Sequence, residues 1–96
     1  MSLFAYLEER VRTELGGHWA AIGQLFSDHS ILEELRSMAK DSDWYHFEPK
    51  AFDGRYLLRS SGGFEVYEQD RGVKLRTRLF ATLPEAASHM FNSPGP

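Results

Sequence analysis

Residues 54–80 read GRYLLRSSGGFEVYEQDRGVKLRTRLF, and every other segment has to be fitted around them. Three runs, 55–60, 64–70 and 73–80, alternate with a period of two and are rich in β-branched, Leu and aromatic residues. Glycines separate them at Gly62-Gly63 and Gly72. The pattern predicts a three-stranded antiparallel meander.

Alternation also predicts a register. Phe64 and Val66 share a face with Val73, Leu75, Thr77 and Leu79 if a two-residue loop, Arg71-Gly72, joins the second and third strands. That loop pairs Asp70 with Val73, Glu68 with Leu75, Val66 with Thr77 and Phe64 with Leu79. A four-residue loop keeps the same parity, whereas a three-residue loop mixes the faces. For the first hairpin, a three-residue loop over 61–63 pairs Ser60 with Phe64, Leu58 with Val66 and Tyr56 with Glu68, with Gly63 in the left-handed position. The opposite face then carries Glu65 between Arg59 and Arg78, Tyr67 between Leu57 and Arg76, and Gln69 between Arg55 and Lys74. Each such neighbour contributes roughly 0.2–1 kcal/mol. One face is apolar and needs a helical cover; the other is wet.

The cover comes from both flanks. Residues 3–15 form an amphipathic helix capped by Ser2, with Phe4, Leu7, Val11 and Leu15 in its stripe and Gly16-Gly17 as its stop. Trp19, Ile22, Leu25 and Phe26 suggest a short second helix or a kinked continuation, with Gly23 as a weak point. Residues 30–39 form another helix, where Ser30 and Glu33 match a capping box and Ile31 or Leu32, Leu35 and Met38 face inward. Residues 44–48 read as a short edge strand before Pro49, and 50–54 as a turn. A last helix follows Phe80, with Thr82 and Glu85 as a second capping box and Leu83, Ala86, Ala87, Met90 and Phe91 on its apolar side. The expected architecture is α+β in two layers, a three- to four-stranded antiparallel meander with the N-terminal helices and the C-terminal helix on one face. Residues 1–91 make one domain, and 92–96 a flexible tail.

With 42% hydrophobic and 26% charged residues the composition is that of an ordinary globular domain. There is no cysteine, so no disulfide frame, thiolate nucleophile or zinc–thiolate site exists. No long apolar run marks a signal or a membrane span, and the chain reads as cytoplasmic. The net charge of −3 is unevenly spread: ten acids face five bases before residue 54, and four face six from there on. That map differs from the uniformly basic one of a nucleic-acid binder.

No catalytic signature emerges. His18, His29, His46 and His89 lack metal-ligand spacing and read as surface or cap residues. Glu8-Glu9 and Glu33-Glu34 diverge around their helices. Residues 60–63, two serines and two glycines, lie between strands and read as a turn rather than a nucleophile elbow or phosphate loop. No enzyme activity, cofactor or metal is expected. Two surfaces remain. Arg55, Arg59, Lys74, Arg76 and Arg78 around Tyr67 share the open sheet face, which would either suit single-stranded nucleic acid or form a solvated, ion-paired face. Asp41, Asp43, Trp44, Tyr45, Glu48 and Asp53 set acids around large aromatics, the composition of a protein–protein hot spot, with one aromatic expected to point in and the other out.

Residues 53–91 carry a further pattern: Asp53-Gly54-Arg55-Tyr56, Gly63-Phe64-Glu65-Val66-Tyr67, Arg71-Gly72, Phe80-Ala81-Thr82 and Glu85-Ala86-Ala87. It resembles the C-terminal half of small immunity proteins from bacterial polymorphic-toxin and contact-dependent growth inhibition systems. The resemblance implies a non-enzymatic toxin inhibitor, one that binds a cognate toxin domain, often a nuclease, in the cytoplasm of the producing cell. It transfers Tyr56, Phe64, Val66 and Phe80 as core and Tyr67 as an outer-face residue, and no binding residues. The alternatives are a single-stranded nucleic-acid binder using the sheet face, and a homodimer paired through the 44–48 edge.

Overall fold

The computed structural model describes residues 2–93. Its order is α1 (Leu3–Glu14), a 3₁₀ helix (Trp19–Ser27), α2 (Ser30–Met38), β1 (Tyr45–His46), β2 (Gly54–Ser60), β3 (Gly63–Asp70), β4 (Val73–Phe80) and α3 (Leu83–Asn92). The α+β class holds, and β2, β3 and β4 form the expected meander. The sheet is mixed, however: β1 runs parallel to β2, with Tyr45 opposite Arg55 and His46 opposite Tyr56. A parallel connection ordinarily requires a helical crossover. Here β1 is two residues long, so residues 47–53 need only return over some 7 Å of strand. Among the described residues no helix is long and apolar enough to cross a membrane.

The helix caps follow local chemistry. Ser2 Oγ accepts from the Ala5 N–H at 3.1 Å, and Gly16, at φ 62°, closes α1 with the Gly17 N–H on the Val11 carbonyl. Thr82 caps α3, accepting from the Glu85 N–H at 3.3 Å and donating to its carboxylate at 2.8 Å. The capping box expected at Ser30 and Glu33 is absent. Asp28 Oδ1 takes both the Ser30 N–H (3.0 Å) and its hydroxyl (2.7 Å), which draws Ser30 into the helix. Gly23 is a packing device rather than a helix defect. A Cβ there would lie 2.6 Å from the Pro84 carbonyl oxygen, so glycine lets the 3₁₀ helix close on α3. At the far end α3 runs through Asn92, whose amide donates to the Ala20 carbonyl at 3.0 Å. The tail expected from 92 therefore starts later; residues 94–96 lie outside the described residues.

Both hairpin registers depart from expectation. The Arg71-Gly72 loop is as read, with both residues at positive φ (49° and 81°), the geometry of a two-residue hairpin turn. Asp70 pairs with Val73 and Glu68 with Leu75, but Val66 then pairs with Arg78 and Phe64 with Phe80. One extra β4 residue enters opposite Tyr67, and Arg76 adopts φ 53°. This β-bulge reverses the parity of the last turn of β4. Phe80 goes to the core and Leu79 to solvent, 71% exposed, so the expected Phe64–Leu79 pair does not exist. In the first hairpin the loop is Ser61-Gly62, and Ser60 pairs with Gly63, Leu57 with Val66 and Tyr56 with Tyr67. Only glycine fits at this end of the ladder, because a Cβ at Gly63 would run into the Phe80 carbonyl oxygen.

Two packed faces result. The inner face presents Leu57, Phe64 and Val66 to Leu7, Ile22, Phe26, Leu35, Met90 and other helix residues in one core. The outer face, expected to be wet, carries a buried aromatic row. His46 stacks on Tyr56 with ring centroids 4.9 Å apart, and Tyr56 on Tyr67 at 5.0 Å and 1°. The 47–53 loop folds across it. The Tyr56 hydroxyl donates to the Phe52 carbonyl at 2.6 Å, and the Gln69 amide to the carbonyls of Lys50 (2.9 Å) and Phe52 (3.1 Å). Tyr56 is thus buried on the side opposite the one expected, and Tyr67 is an outer-face residue that solvent scarcely reaches.

Candidate functional site

The acidic, aromatic stretch does not form one patch: Tyr45 packs on the helical side against Phe4 and Phe91, Trp44 and Asp53 share a cleft with Leu75 and Arg76 of β4, and the acids have different tasks. Asp43 closes a turn, its Oδ2 accepting from the Lys40 N–H at 2.7 Å. Asp53 Oδ1 accepts from the Arg71 N–H at 2.8 Å and ties the loop to the β3–β4 hairpin. Asp41 is exposed and pairs with Lys50 at 3.2 Å. Glu48 is exposed and unpaired among the described residues. Asp41, Glu48 and Asp53 are the exposed acids of the stretch, and Asp43 is half-buried.

Neither Trp44 nor Tyr45 is the exposed aromatic. Both are half-buried, where one was expected in and the other out. The Tyr45 ring lies 5.0 Å from Phe91 and 5.3 Å from Phe4. Trp44 lines a cleft of about 360 Å³ with Asp53, Asp70, Leu75 and Arg76. Within residues 41–53 the exposed aromatic is Phe52, 46% accessible, on the loop that Tyr56 and Gln69 hold by its own carbonyl, while Phe4, packed against Tyr45, is 42% accessible. A phenylalanine inside a turn was the available signal, and reading 50–54 only as a connection passed over it.

The basic sheet face is not assembled. Arg55 lies on the inner side, 3% exposed, because β2 has the opposite parity. Arg59 also lies inside the sheet plane's helical side, 5.4 Å above the Phe64 ring, and the bulge turns Arg78 to that side too. Lys74 stays outside, 4.4 Å from the Tyr67 ring and 3.3 Å from Glu65. Arg76 reaches Glu68 at 3.2 Å. Tyr67 is buried in a stack and is not open to a base.

The same reversal builds something the sequence did not announce. Arg55 Nη1 donates to the last carbonyls of α3, Met90 at 2.8 Å and Ser93 at 3.3 Å, and Nη2 to Glu68 at 3.1 Å. A single guanidinium thus fastens the C-terminus of α3 to the sheet, where a positive charge also suits the helix dipole. Arg76, Arg78 and His89 surround this pair at the mouth of a cleft of about 450 Å³. Burial, followed by the charges of Arg78 and Arg55, pushes the His89 imidazole below its usual pKa.

The histidines do not all sit at the surface as expected. His18 Nδ1 donates to the Leu15 carbonyl at 2.9 Å, and His29 stands edge-on to Phe64. His46 is fully buried with neither ring nitrogen hydrogen-bonded, and burial together with Lys50 pushes its pKa down. Among the described residues no group of three or more His, Asp or Glu side chains is placed to hold a metal ion. The chain matches no protein-family model, no curated protein and no solved structure.

Proposed function

We propose that the protein is a non-enzymatic immunity protein that binds a cognate bacterial toxin domain and occludes its active site. The resemblance of residues 53–91 supplies the role, and the exposed acids supply a surface for it. One observation carries the reading: Phe52 is exposed on a loop whose backbone is already fixed by three side-chain hydrogen bonds. An aromatic anchor held this way loses little conformational freedom on binding, which is how interfaces reach high affinity from a small contact. The exposed Asp41 and Glu48 would steer the chain toward the basic catalytic cleft of a nuclease. Cytoplasmic residence in the producing cell belongs to the same proposal.

The test is co-expression with the variable C-terminal domain encoded by the gene immediately upstream. The wild-type chain should co-purify with that domain and protect the cells. Phe52→Ala should raise the Kd at least tenfold. Asp41→Lys with Glu48→Lys should slow association and flatten its salt dependence. Failure of the wild-type chain to bind or protect overturns the role; unchanged binding by both variants moves the interface elsewhere. The nucleic-acid alternative lost its geometry with Arg55 buried and the remaining bases divided between two faces. A dimer through the 44–48 edge is limited by a β1 of only two residues.

A further inference from the structure

Among the described residues His46 is the only buried side chain whose polar atoms lack a hydrogen-bond partner: its ring is fully covered and both nitrogens are bare. A neutral imidazole has one donor and one acceptor to satisfy, and an imidazolium two donors. One face of the ring lies on Tyr56, 4.9 Å away, with Tyr67 stacked behind it. At the end of the 47–53 loop the chain passes close beside the ring at Gly54, where a Cβ would come within 2.7 Å of His46 Cδ2. The charged groups about the ring come from that loop and from the turn before β1. Lys50 opposes a positive imidazole, whereas Asp43 and Asp41 favour one. Burial outweighs the acids, and the closed loop keeps the ring below its usual pKa.

The cover is lightly fastened. Residues 48–53 hang between Phe47, which is buried in the core, and Gly54, and none of their side chains is fully buried. They are held by the Tyr56 hydroxyl and the Gln69 amide on the carbonyls of Phe52 and Lys50, by the Lys50–Asp41 pair, and by Asp53 on the Arg71 N–H. Few buried apolar contacts would be broken by lifting them, the condition for a local opening rather than a global one. We propose that residues 48–53 form a pH-gated cover: a neutral His46 keeps it closed with Phe52 displayed in one position, and protonation of His46 opens it while the rest of the fold stands. The gate does not depend on the toxin reading. A solvated imidazole titrates near 6.5. Below that value the open form takes up a proton that the closed form refuses, so the open-to-closed ratio should rise by up to about tenfold between pH 7.5 and 5.5.

Trypsin digestion of the full chain reads the cover at the Lys50–Ala51 bond and the fold at the Arg59–Ser60 bond within β2. A short lysyl peptide in the same tube corrects for the protease's own response to pH. Corrected cleavage after Lys50 should rise at least threefold from pH 7.5 to 5.5, and cleavage after Arg59 should not follow it. No rise, or an equal rise at both bonds, overturns the gate. His46→Phe and His46→Leu should each abolish the rise, and a rise that persists in a folded variant overturns the role of His46. In the wild-type chain the His46 ring resonances, followed by NMR, should titrate below pH 6.5. A titration at or above that value overturns the gate without any variant.

Discussion

Replacing Arg55 with methionine tests the joint between α3 and the sheet. The substitution keeps side-chain length and removes the guanidinium. Glu68, whose side chain is 11% exposed, would then hold its charge against Arg76 alone, and the Met90 carbonyl would lose a 2.8 Å donor. Breaking a buried ion pair from one side costs about 3–5 kcal/mol, because the other charge is left uncompensated. A domain of this size has roughly 5–14 kcal/mol of total stability. At about 4–8 °C per kcal/mol, the melting temperature should fall by roughly 12–40 °C. Thermal melts by circular dichroism and urea denaturation at pH 7 read this directly. The companion variant, Arg55→Met with Glu68→Leu, removes the orphaned carboxylate and should recover a large part of the loss, since an apolar pair of similar volume satisfies a buried site. A single-variant cost under about 1 kcal/mol would refute the reasoning. So would a double variant no more stable than the single one.

Acid should loosen the fold through its buried histidines. Burial foremost holds the pKa of both His46 and His89 below the unfolded value of about 6.5. As pH falls below that value the unfolded chain takes up protons that the native imidazoles refuse, so stability is present above it and is lost below it. The urea midpoint should therefore drop between pH 7.5 and 5.5, and His46→Phe, which has no nitrogens to leave unpaired, should flatten part of that slope; an unchanged slope would remove His46 as a cause. Gly23→Ala should cost about 1–3 kcal/mol, despite alanine's better helix propensity, because its methyl meets the Pro84 carbonyl at 2.6 Å. A stabilised Gly23→Ala protein in the same denaturation assay would show that the two helices have room to part.

What the sequence made legible was existence rather than handedness of face. The three long strands, the Arg71-Gly72 turn and the apolar side of α3 follow from local periodicity, and all are present. Leu57-Leu58 offers an apolar residue to either side, so β2 alone does not choose its parity. The choice is made by Gly63 under the Phe80 backbone and by Arg55 at the end of α3, contacts between residues distant in the chain. The bulge has the same character. Val73, Leu75, Thr77 and Leu79 alternate without interruption, and only the docking of Phe80 on the core selects one extra residue opposite Tyr67. Asp43 and Asp53 had the composition of contact residues, yet backbone N–H groups captured them, a competition that short carboxylates commonly enter. His46 and Tyr56 were hidden because residues 47–53, read as the end of a strand and the start of a turn, form a lid.

The twist that Arg76 introduces also interrupts the free edge of the sheet. β4 is the outermost long ribbon, with eight residues and one flank of amide groups uncovered by any other strand. A straight ribbon of that kind is a template for edge-to-edge pairing with another strand. Interrupting it midway, with cationic side chains on both sides of the interruption, denies a neighbour any continuous template longer than a few residues. The distortion that spoils simple alternation thus also shortens the template that this edge offers to another strand.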